Sequence, residues 1–316
     1  MRALVFDGTL SLSEIPAPVP AAGEALIRVE YSAICNTDIE LTRGYLGFRG
    51  VPGHEFVGVV EQGSAALRGK RVVGEINCPC GNCALCRRAL PTHCSQRTVL
   101  GIAGRPGVFA EYVALPEANL HCVPDYLASV RALFTEPLAA ALQIFEQFHI
   151  RPTDRIILLG TGKLGLLTAL VLQQGGYHYT AYNRNPRKIK LAQTLGINCR
   201  PLAELPPDER VDVCIDCTGN PQGMALALQH VRPRGTIVLK TTVADPAAFD
   251  INQIVINELT LIGSRCGPFA PALAMLAADR INPEPLVSAE FTFTNIVAAF
   301  TAAQKSDTVK VIINHA

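Results

Sequence analysis

Five of the chain's eleven cysteines lie between residues 78 and 94, and four of these five follow a regular spacing. Two residues separate Cys80 from Cys83 and Cys83 from Cys86, and seven residues separate Cys86 from Cys94. Four thiolates so close together on a loop are typical of a closed tetrahedral zinc site. Such a site has no open coordination position, so its zinc would stabilise a lobe of the protein. The alternative is that these are free buried thiols.

A second, more dispersed set of possible metal ligands contains a thiol, an imidazole and carboxyl groups. It consists of Cys35, then His54 and Glu55, and finally Glu136. Together a thiolate, an imidazole and one or two carboxylates can hold zinc and keep a position open for water or substrate. The spacing does not show that these segments meet, because a single cysteine or histidine is more often a packed residue.

A glycine-rich turn joins the apolar residues 156–159 to a run of apolar residues with helical spacing. This pattern is typical of a strand–turn–helix unit that binds a pyrophosphate at the helix N-terminus. Gly160 would allow the tight turn, Gly162 would let the backbone approach the phosphates, and Gly165 would let helix and strand pack closely. A phosphate-loop NTPase is disfavoured, because leucines follow Gly165 where that loop needs Lys and then Ser or Thr.

The predicted elements that would position these residues change in character along the chain. Up to about residue 124, short strands broken by Gly and Pro are predicted, at residues 3–6, 24–31, 56–61, 71–76 and 109–114. Beyond Gly165, strands are predicted at residues 177–182, 211–216, 236–239 and 259–263, with helices at 186–195 and 221–231. The sequence therefore predicts a β-rich, metal-bearing domain followed by a doubly wound α/β domain.

Length and composition limit the class of protein. A chain of 316 residues can form two domains, and 49% hydrophobic with 17% charged residues indicates a globular protein. A formal net charge of +1 argues against a nucleic-acid partner. No apolar run is long enough to span a membrane, and the N-terminus lacks the apolar core of a signal peptide. We therefore expect a soluble, cytoplasmic protein with no membrane association.

Five motifs occur in a fixed order along the chain: Cys35-Asn-Thr37-Asp38, Gly53-His54-Glu55-Phe56-Val-Gly58, the four spaced cysteines, Glu136-Pro137-Leu138, and the glycine turn. Together they resemble the zinc-dependent medium-chain alcohol dehydrogenases, particularly the sorbitol and threonine dehydrogenase-like branch, over essentially the whole chain. The resemblance implies an α/β protein with a GroES-like β-rich catalytic domain, residues 1–137 and 268–316. It also implies a Rossmann doubly wound parallel-sheet cofactor domain, residues 138–267, and a homodimer or homotetramer.

The same resemblance implies roles for the candidate metal and catalytic residues. Cys35 and His54 would ligate a catalytic zinc together with Glu55 or Glu136, and the four spaced cysteines would hold a structural zinc, giving two zincs per chain. Alcohol dehydrogenases proper usually have a cysteine at the position of Glu136, so a carboxylate there favours the polyol-type branch. Thr37 would exchange the substrate proton. The next proton carrier between Thr37 and solvent, at a position where the family often has a histidine, would be Glu40 or water.

Cofactor binding is predicted for the glycine turn and for residues after the later strands. The predicted residues are Gly160, Thr161, Gly162, Lys163, Leu164, Gly165, Asn183, Arg184 and Lys188. The family resemblance adds Thr218 and Lys310. NAD-binding folds usually place an acidic residue about 20 positions after the glycine turn, where it binds the ribose 2′-hydroxyl. Asn183 stands there instead and cations follow it, so Arg184 could hold a 2′-phosphate and NADP is favoured over NAD. Alternatively, Asn183 binds the hydroxyl, the cations form a solvated helix face, and Lys310 is an ordinary surface lysine.

The predicted reaction is the reversible oxidation of an alcohol, with hydride transfer to the nicotinamide cofactor. The substrate would be a small molecule: a polyol, a sugar or another primary or secondary alcohol. One alternative is a zinc-independent reductase of activated double bonds from the same superfamily, against which Cys35, His54 and Glu136 argue together. The other is a cofactor-binding protein without catalytic activity.

Overall fold

The computed structural model describes residues 1–240 and 249–316 of the chain. They form two compact units, one made of Met1–Glu136 with Phe269–Ala316 and the other of Pro137–Pro268. Over the described ranges, no helix has both the length and the apolar character needed to cross a membrane.

Short strands dominate the first unit, and strands alternate with helices in the second. The strands are β1 (Arg2–Phe6), β2 (Leu10–Glu14), β3 (Glu24–Ile34), β4 (Glu55–Gln62), β5 (Arg71–Gly74), β6 (Asn77–Cys78), β7 (Thr98–Leu100), β8 (Gly104–Arg105), β9 (Tyr112–Pro116), β10 (Leu120–Cys122), β11 (Ile156–Leu159), β12 (Tyr179–Asn183), β13 (Cys199–Pro201), β14 (Val211–Asp216), β15 (Val231–Leu239), β16 (Thr260–Gly263), β17 (Val287–Thr292) and β18 (Lys310–Asn314). The helices are α1 (Asn36–Thr42), α2 (Ala84–Arg87), α3 (Ser129–Ala132), α4 (Thr135–Gln147), α5 (Lys163–Gln174), α6 (Pro186–Thr194), α7 (Gln222–His230), α8 (Ile251–Ile256), α9 (Phe269–Ala277) and α10 (Ile296–Ala303).

Strand β3 lies inside the main sheet of the first unit, whose order is β10-β5-β4-β3-β18-β17, with β9 also paired to β3. β3 runs antiparallel to both β4 and β18, with Ala33 opposite Glu55 and Ile34 opposite Val311. Because antiparallel neighbours run in opposite directions, the end of β3 lies beside the beginnings of β4 and β18. This register brings Cys35, Glu55 and Lys310 to one end of the sheet.

The C-terminal segment completes the core of the first unit. Helix α10 contributes Ile296, Ala299 and Phe300 to a buried cluster that also contains residues of β1, β3 and β18. Within this cluster the ring of Phe109 packs edge-to-face against Phe300, with ring centroids 5.5 Å apart. Segments distant in sequence therefore share one apolar core, whose burial stabilises the sheet.

The strand predicted over residues 109–114 begins later than expected, because β9 starts at Tyr112. The backbone of Phe109 bonds to two other segments instead of the sheet ladder. Its N–H donates to the carbonyl of Pro52, and its carbonyl accepts from the N–H of Leu4. Sequence pattern does not reveal such bonds, since they join segments that are far apart along the chain.

The second unit is built on an all-parallel sheet with the strand order β13-β12-β11-β14-β15-β16. Counted from β11, this is the 3-2-1-4-5-6 order of the dinucleotide-binding fold. The four residues of β11 are all buried, as expected for a strand covered on both faces. The sheet confirms the predicted α/β fold class with a Rossmann-type unit.

Candidate active site, structural metal centre and cofactor pocket

Cys35, His54 and Glu55 form a candidate metal centre in the first unit. One possible ligand atom from each residue lies within 4.8 Å of the other two. Cys35 follows β3 and caps the N-terminus of α1, while Glu55 is the first residue of the neighbouring strand β4. The strand register therefore brings together three residues that the sequence pattern left apart.

Asp38 supports two of these residues and is a site residue that sequence reasoning did not assign. Its carboxylate is fully buried, and Oδ1 lies 3.1 Å from His54 Nδ1. Oδ2 accepts a hydrogen bond from the backbone N–H of Cys35 at 2.8 Å. Burial disfavours the charged imidazole, but the Asp38 carboxylate outweighs this and raises the pKa of His54 well above its ordinary value. Asp38 thus orients the imidazole and fixes the backbone that carries the thiol.

Lys310 lies within the same centre, paired with Glu55. Its Nζ donates to Glu55 Oε2 at 2.5 Å, and both side chains are at most 3% exposed. Burial lowers the pKa of Lys310, but the charge of Glu55 overcomes this and leaves the pKa raised. The alternative of an ordinary surface lysine is therefore wrong. Contact between Lys310 and a cofactor stays a prediction.

The second carboxyl oxygen of Glu55 is suited to a metal. Oε1 is buried and has no hydrogen-bond partner within the described ranges. A buried carboxylate oxygen without a partner is costly. A cation shared with Cys35 and His54 would satisfy it, so the residues present fit a zinc ion with mixed sulfur, nitrogen and oxygen ligands.

Glu136 lies in the first turn of α4 and is not part of the three-residue ligand group. Burial raises the pKa of Glu136 to about 7, with His54 opposing the shift and Glu55 adding to it. The charges of His54 and Glu55 therefore influence the pKa of the Glu136 carboxyl group. Of the two carboxylates that the sequence left open, Glu55 shares the ligand group with Cys35 and His54.

The two predicted relay residues lie on α1. The hydroxyl of Thr37 is 3.9 Å from Cys35 Sγ, and its side chain is half-buried. Glu40 accepts a hydrogen bond from Arg43 Nη1 at 3.1 Å on the outer side of the helix. Thr37 is thus next to the metal centre, and the roles of both residues in proton transfer remain predictions.

The four spaced cysteines converge on one point. Their sulfur atoms form a second group within 4.8 Å, with Cys83–Cys86 and Cys80–Cys94 separations of 3.5 Å. Backbone N–H groups stabilise the thiolate form, lowering the pKa of Cys94 and lowering that of Cys83 to about 6. Burial raises the pKa of Cys86 to about 12. Four sulfurs so placed, with two favoured as thiolates, match a closed zinc site.

A pocket at the carboxyl ends of the strands in the second unit contains part of the predicted cofactor set. It is lined by Leu159, Gly160, Gly162, Tyr182, Asn183, Arg184, Lys188, Leu202, Cys217, Thr218, Asn220, Gly223 and Leu226. Two cations and no carboxylate occur among these lining residues. Of the other predicted residues, Thr161 is fully buried and Lys163, Leu164 and Gly165 lie in the first turn of α5.

Each glycine of the turn has the expected environment. Gly160 has a φ of +88°, in the left-handed region that favours glycine. A Cβ at Gly165 would collide with the carbonyl oxygen of Gly160, whereas one at Gly162 would meet no atom within 4 Å. The turn is therefore tight at its first glycine, closely packed at its third and open to the pocket at its second.

Asn183 joins the ends of two strands. Its Nδ2 donates to Thr161 Oγ1 at 2.7 Å, and its Oδ1 accepts from the N–H of Asn185 at 2.9 Å. Arg184 donates through Nη1 to Gln222 Oε1 at 2.9 Å. The amide thus connects the glycine turn to the end of β12, and the neighbouring cations line the pocket.

Two family models match consecutive parts of the chain. The alcohol dehydrogenase GroES-like domain matches residues 21–125, and the glucose dehydrogenase C-terminus matches residues 132–315. L-threonine 3-dehydrogenase of Coxiella burnetii is 29% identical, with 96% of each chain covered. Sorbitol dehydrogenase of Halalkalibacterium halodurans is 28% identical, with 99% of each chain covered.

Among solved structures, the chain resembles one described as a short chain alcohol dehydrogenase from Escherichia coli CFT073, complexed with NADH. The TM-score is 0.91 at 25% identity, with 99% of each chain covered. The family models, the relatives and the fold agree with the predicted resemblance, which is thereby confirmed. The chain belongs to the zinc-dependent medium-chain alcohol dehydrogenases, oxidoreductases that exchange hydride between an alcohol and NAD(P).

Proposed function

We propose that the catalytic zinc of this dehydrogenase is held by Cys35, His54 and Glu55. The observation that carries the proposal is that their ligand atoms lie within 4.8 Å of one another. Three protein ligands leave a fourth position for a substrate oxygen or water. When bound, zinc supplies a Lewis acid that stabilises negative charge on the substrate oxygen.

The protein's own residues would prepare and complete this chemistry. Asp38 holds the imidazole of His54, and Lys310 neutralises the buried charge of Glu55. Thr37 takes up the alcohol proton, because a hydroxyl can accept one proton while it releases another. Glu40 or water then carries the proton outward.

We further propose NADP(H) as the preferred cofactor. Arg184 and Lys188 line the pocket, and its described lining residues include no carboxylate that would repel a 2′-phosphate. Both hydrogen-bonding ends of the Asn183 amide have protein partners, so that side chain is already held by the fold. The solved relative with NADH binds the other cofactor, which makes a direct comparison of the two cofactors necessary.

The proposed substrate is a polyol, a sugar or a related hydroxy compound. Glu136 stands where alcohol dehydrogenases proper usually have a cysteine, and the similar proteins include threonine and sorbitol dehydrogenases. A panel of polyols, aldoses, hydroxy acids and simple alcohols, each with both cofactors, tests the proposal. Turnover of simple alcohols alone would contradict the polyol assignment.

Metal content and turnover of Cys35→Ser test the catalytic centre. The wild-type protein should contain two zincs per chain, and the variant should retain one, with turnover abolished and the fold intact. Cys122→Ser is the matched control, because this thiol is exposed and outside both ligand groups. Undiminished turnover of Cys35→Ser without zinc at this centre would overturn the mechanism.

Kinetics of Arg184→Ala test the cofactor assignment. Loss of a charge-assisted bond to a 2′-phosphate should raise KM for NADP about tenfold and leave KM for NAD nearly unchanged. Arg187→Ala is the control, since this exposed residue does not line the pocket. A lower KM for NAD than for NADP in the wild-type protein would refute the preference.

We also propose that the chain forms a homodimer or homotetramer. Ile251, Val255 and Ile256 of α8 expose between 64% and 78% of their surface, close in sequence to the terminal strand β16. An exposed apolar patch of this kind marks an interaction surface. Light scattering coupled to size-exclusion chromatography measures the assembly, and a monomer at micromolar concentration would contradict the proposal.

A further inference from the structure

A buried lysine that the proposed mechanism does not use lies directly after β15. Lys240 is 9% exposed, and its ammonium group donates to the carbonyl oxygen of Ala140 at 2.5 Å and to Ser264 Oγ at 3.0 Å. The carbonyl oxygen of Arg265 lies 3.5 Å away. Burying an ammonium group is costly unless its donors are satisfied. Here the acceptors come from α4 and from the segment after β16.

The backbone around Lys240 joins the ends of three parallel strands. The N–H of Lys240 donates to the carbonyl of Asp216, at the end of β14. The N–H of Ser264, just beyond β16, donates to the carbonyl of Leu239. The side chain of Lys240 adds a second connection between the ends of β15 and β16, so this end of the sheet is fixed by both backbone and side-chain bonds.

The segment after β16 is also seated closely on α4. A Cβ at Gly267 would collide with the carbonyl oxygen of Ala139, so glycine is needed for this approach. Near the other end of the helix, Gln147 donates to the carbonyl of Gly263 at 3.0 Å. The bond from Lys240 to Ala140 lies next to the Gly267 contact. The ammonium thus ties α4, β15 and the segment after β16 at one point.

The Lys240 contacts lie in the β14–β16 half of the sheet, and the pocket cations Arg184 and Lys188 follow β12 in the other half. In a doubly wound sheet, a dinucleotide lies across the carboxyl ends of the strands, with one mononucleotide on each side of the first strand. If the 2′-phosphate binds Arg184 and Lys188, the adenosine half lies on the side of β12 and β13. The ends of β14, β15 and β16 would then be the floor for the nicotinamide half.

We propose that Lys240 is a positioning residue for the nicotinamide half of the cofactor. It holds the ends of β15 and β16 against α4 and does not itself contact the reacting atoms. The proposal rests on the proposed function, because it assumes that a nicotinamide dinucleotide binds in the second unit. Without the ammonium, the carbonyl groups of Ala140 and Arg265 lose a shared donor and the floor shifts.

The test compares a whole cofactor with a fragment that lacks nicotinamide. Dissociation constants of NADPH and 2′-phospho-ADP-ribose are measured on the zinc-loaded, full-length protein, and NADH with ADP-ribose are measured in parallel. Lys240→Met should weaken NADPH binding about tenfold and leave the fragment within about twofold of wild type. The exposed Lys305→Met is the matched control and should change neither value.

Ser264→Ala keeps the test decisive if Lys240→Met does not fold. This substitution removes one acceptor of the ammonium group. It should weaken NADPH binding about threefold and leave binding of the fragment nearly unchanged. Equal weakening of cofactor and fragment, or no weakening of either, overturns the role of Lys240. Failure of the proposed function is distinguishable, since the wild-type protein would then bind neither NADPH nor NADH.

Discussion

Replacing Lys310 with methionine removes the cation that faces Glu55 while keeping a side chain of similar length. In the wild-type protein Nζ lies 2.5 Å from Oε2, with the two side chains 3% and 1% exposed. Breaking a buried pair leaves an uncompensated charge and costs about 3–5 kcal/mol. In the zinc-free protein we therefore expect Lys310→Met to lower the free energy of unfolding by this amount at pH 7.

Urea unfolding of the chelator-treated protein at pH 7, followed by circular dichroism, measures this loss. The double variant Lys310→Met with Glu55→Gln should recover most of the loss, because Glu55→Gln also removes the charge that lost its partner. Arg28→Met is the matched control: its pair with Glu61 is 45% and 40% exposed and should contribute less than about 1 kcal/mol. A loss below about 1 kcal/mol for Lys310→Met at pH 7, or no recovery in the double variant, would refute the reasoning.

Three further predictions concern other parts of the first unit. Asp38→Asn removes the charge that holds His54 and should weaken zinc binding at the catalytic centre about 10–100-fold, measured by chelator competition; unchanged affinity would contradict this. Cys94→Ser should reduce the zinc content from two to one per chain, while a content of two would exclude these cysteines as the structural site. Burial lowers the pKa of His315 to about 3. Below about pH 6.5 the unfolded chain therefore binds a proton at His315, whereas the folded protein does not. This difference lowers the free energy of unfolding by about 2 kcal/mol between pH 7 and pH 5. His315→Gln should remove this loss in urea titrations at the two pH values, and an unchanged pH dependence would count against it.

Much of the architecture was predictable from local patterns. The spacing of the four cysteines predicts a closed thiolate site, because the candidate ligands are close in sequence. The glycine turn predicts strand, turn and helix for the same reason. Gly160 allows a positive φ and Gly165 allows close packing against the Gly160 carbonyl, and both requirements arise within six residues. The family resemblance followed from the order of the motifs, and the family models and relatives confirm it.

The residue types of the candidate metal centre were predictable, but their arrangement in space was not. Cys35 and Glu55 belong to different strands, and their proximity depends on the antiparallel register of β3 and β4. Lys310 enters from the far end of the chain because β18 pairs with β3. The proposal of Glu55 over Glu136 as a ligand likewise rests on the fold, which groups Glu55 with the thiol and the imidazole.

The sequence by itself determined the residue types of the candidate ligands, the glycine turn and the family, because each depends on residue identity at short range or in fixed order. The tertiary structure alone decided that Asp38 supports His54, that Lys310 is a buried partner of Glu55 and that Lys240 joins strand ends to α4. The physical reason is the same in each case. These charged groups interact across contacts of about 3 Å between segments far apart in the chain, and only folding creates those distances and the burial that gives them strength.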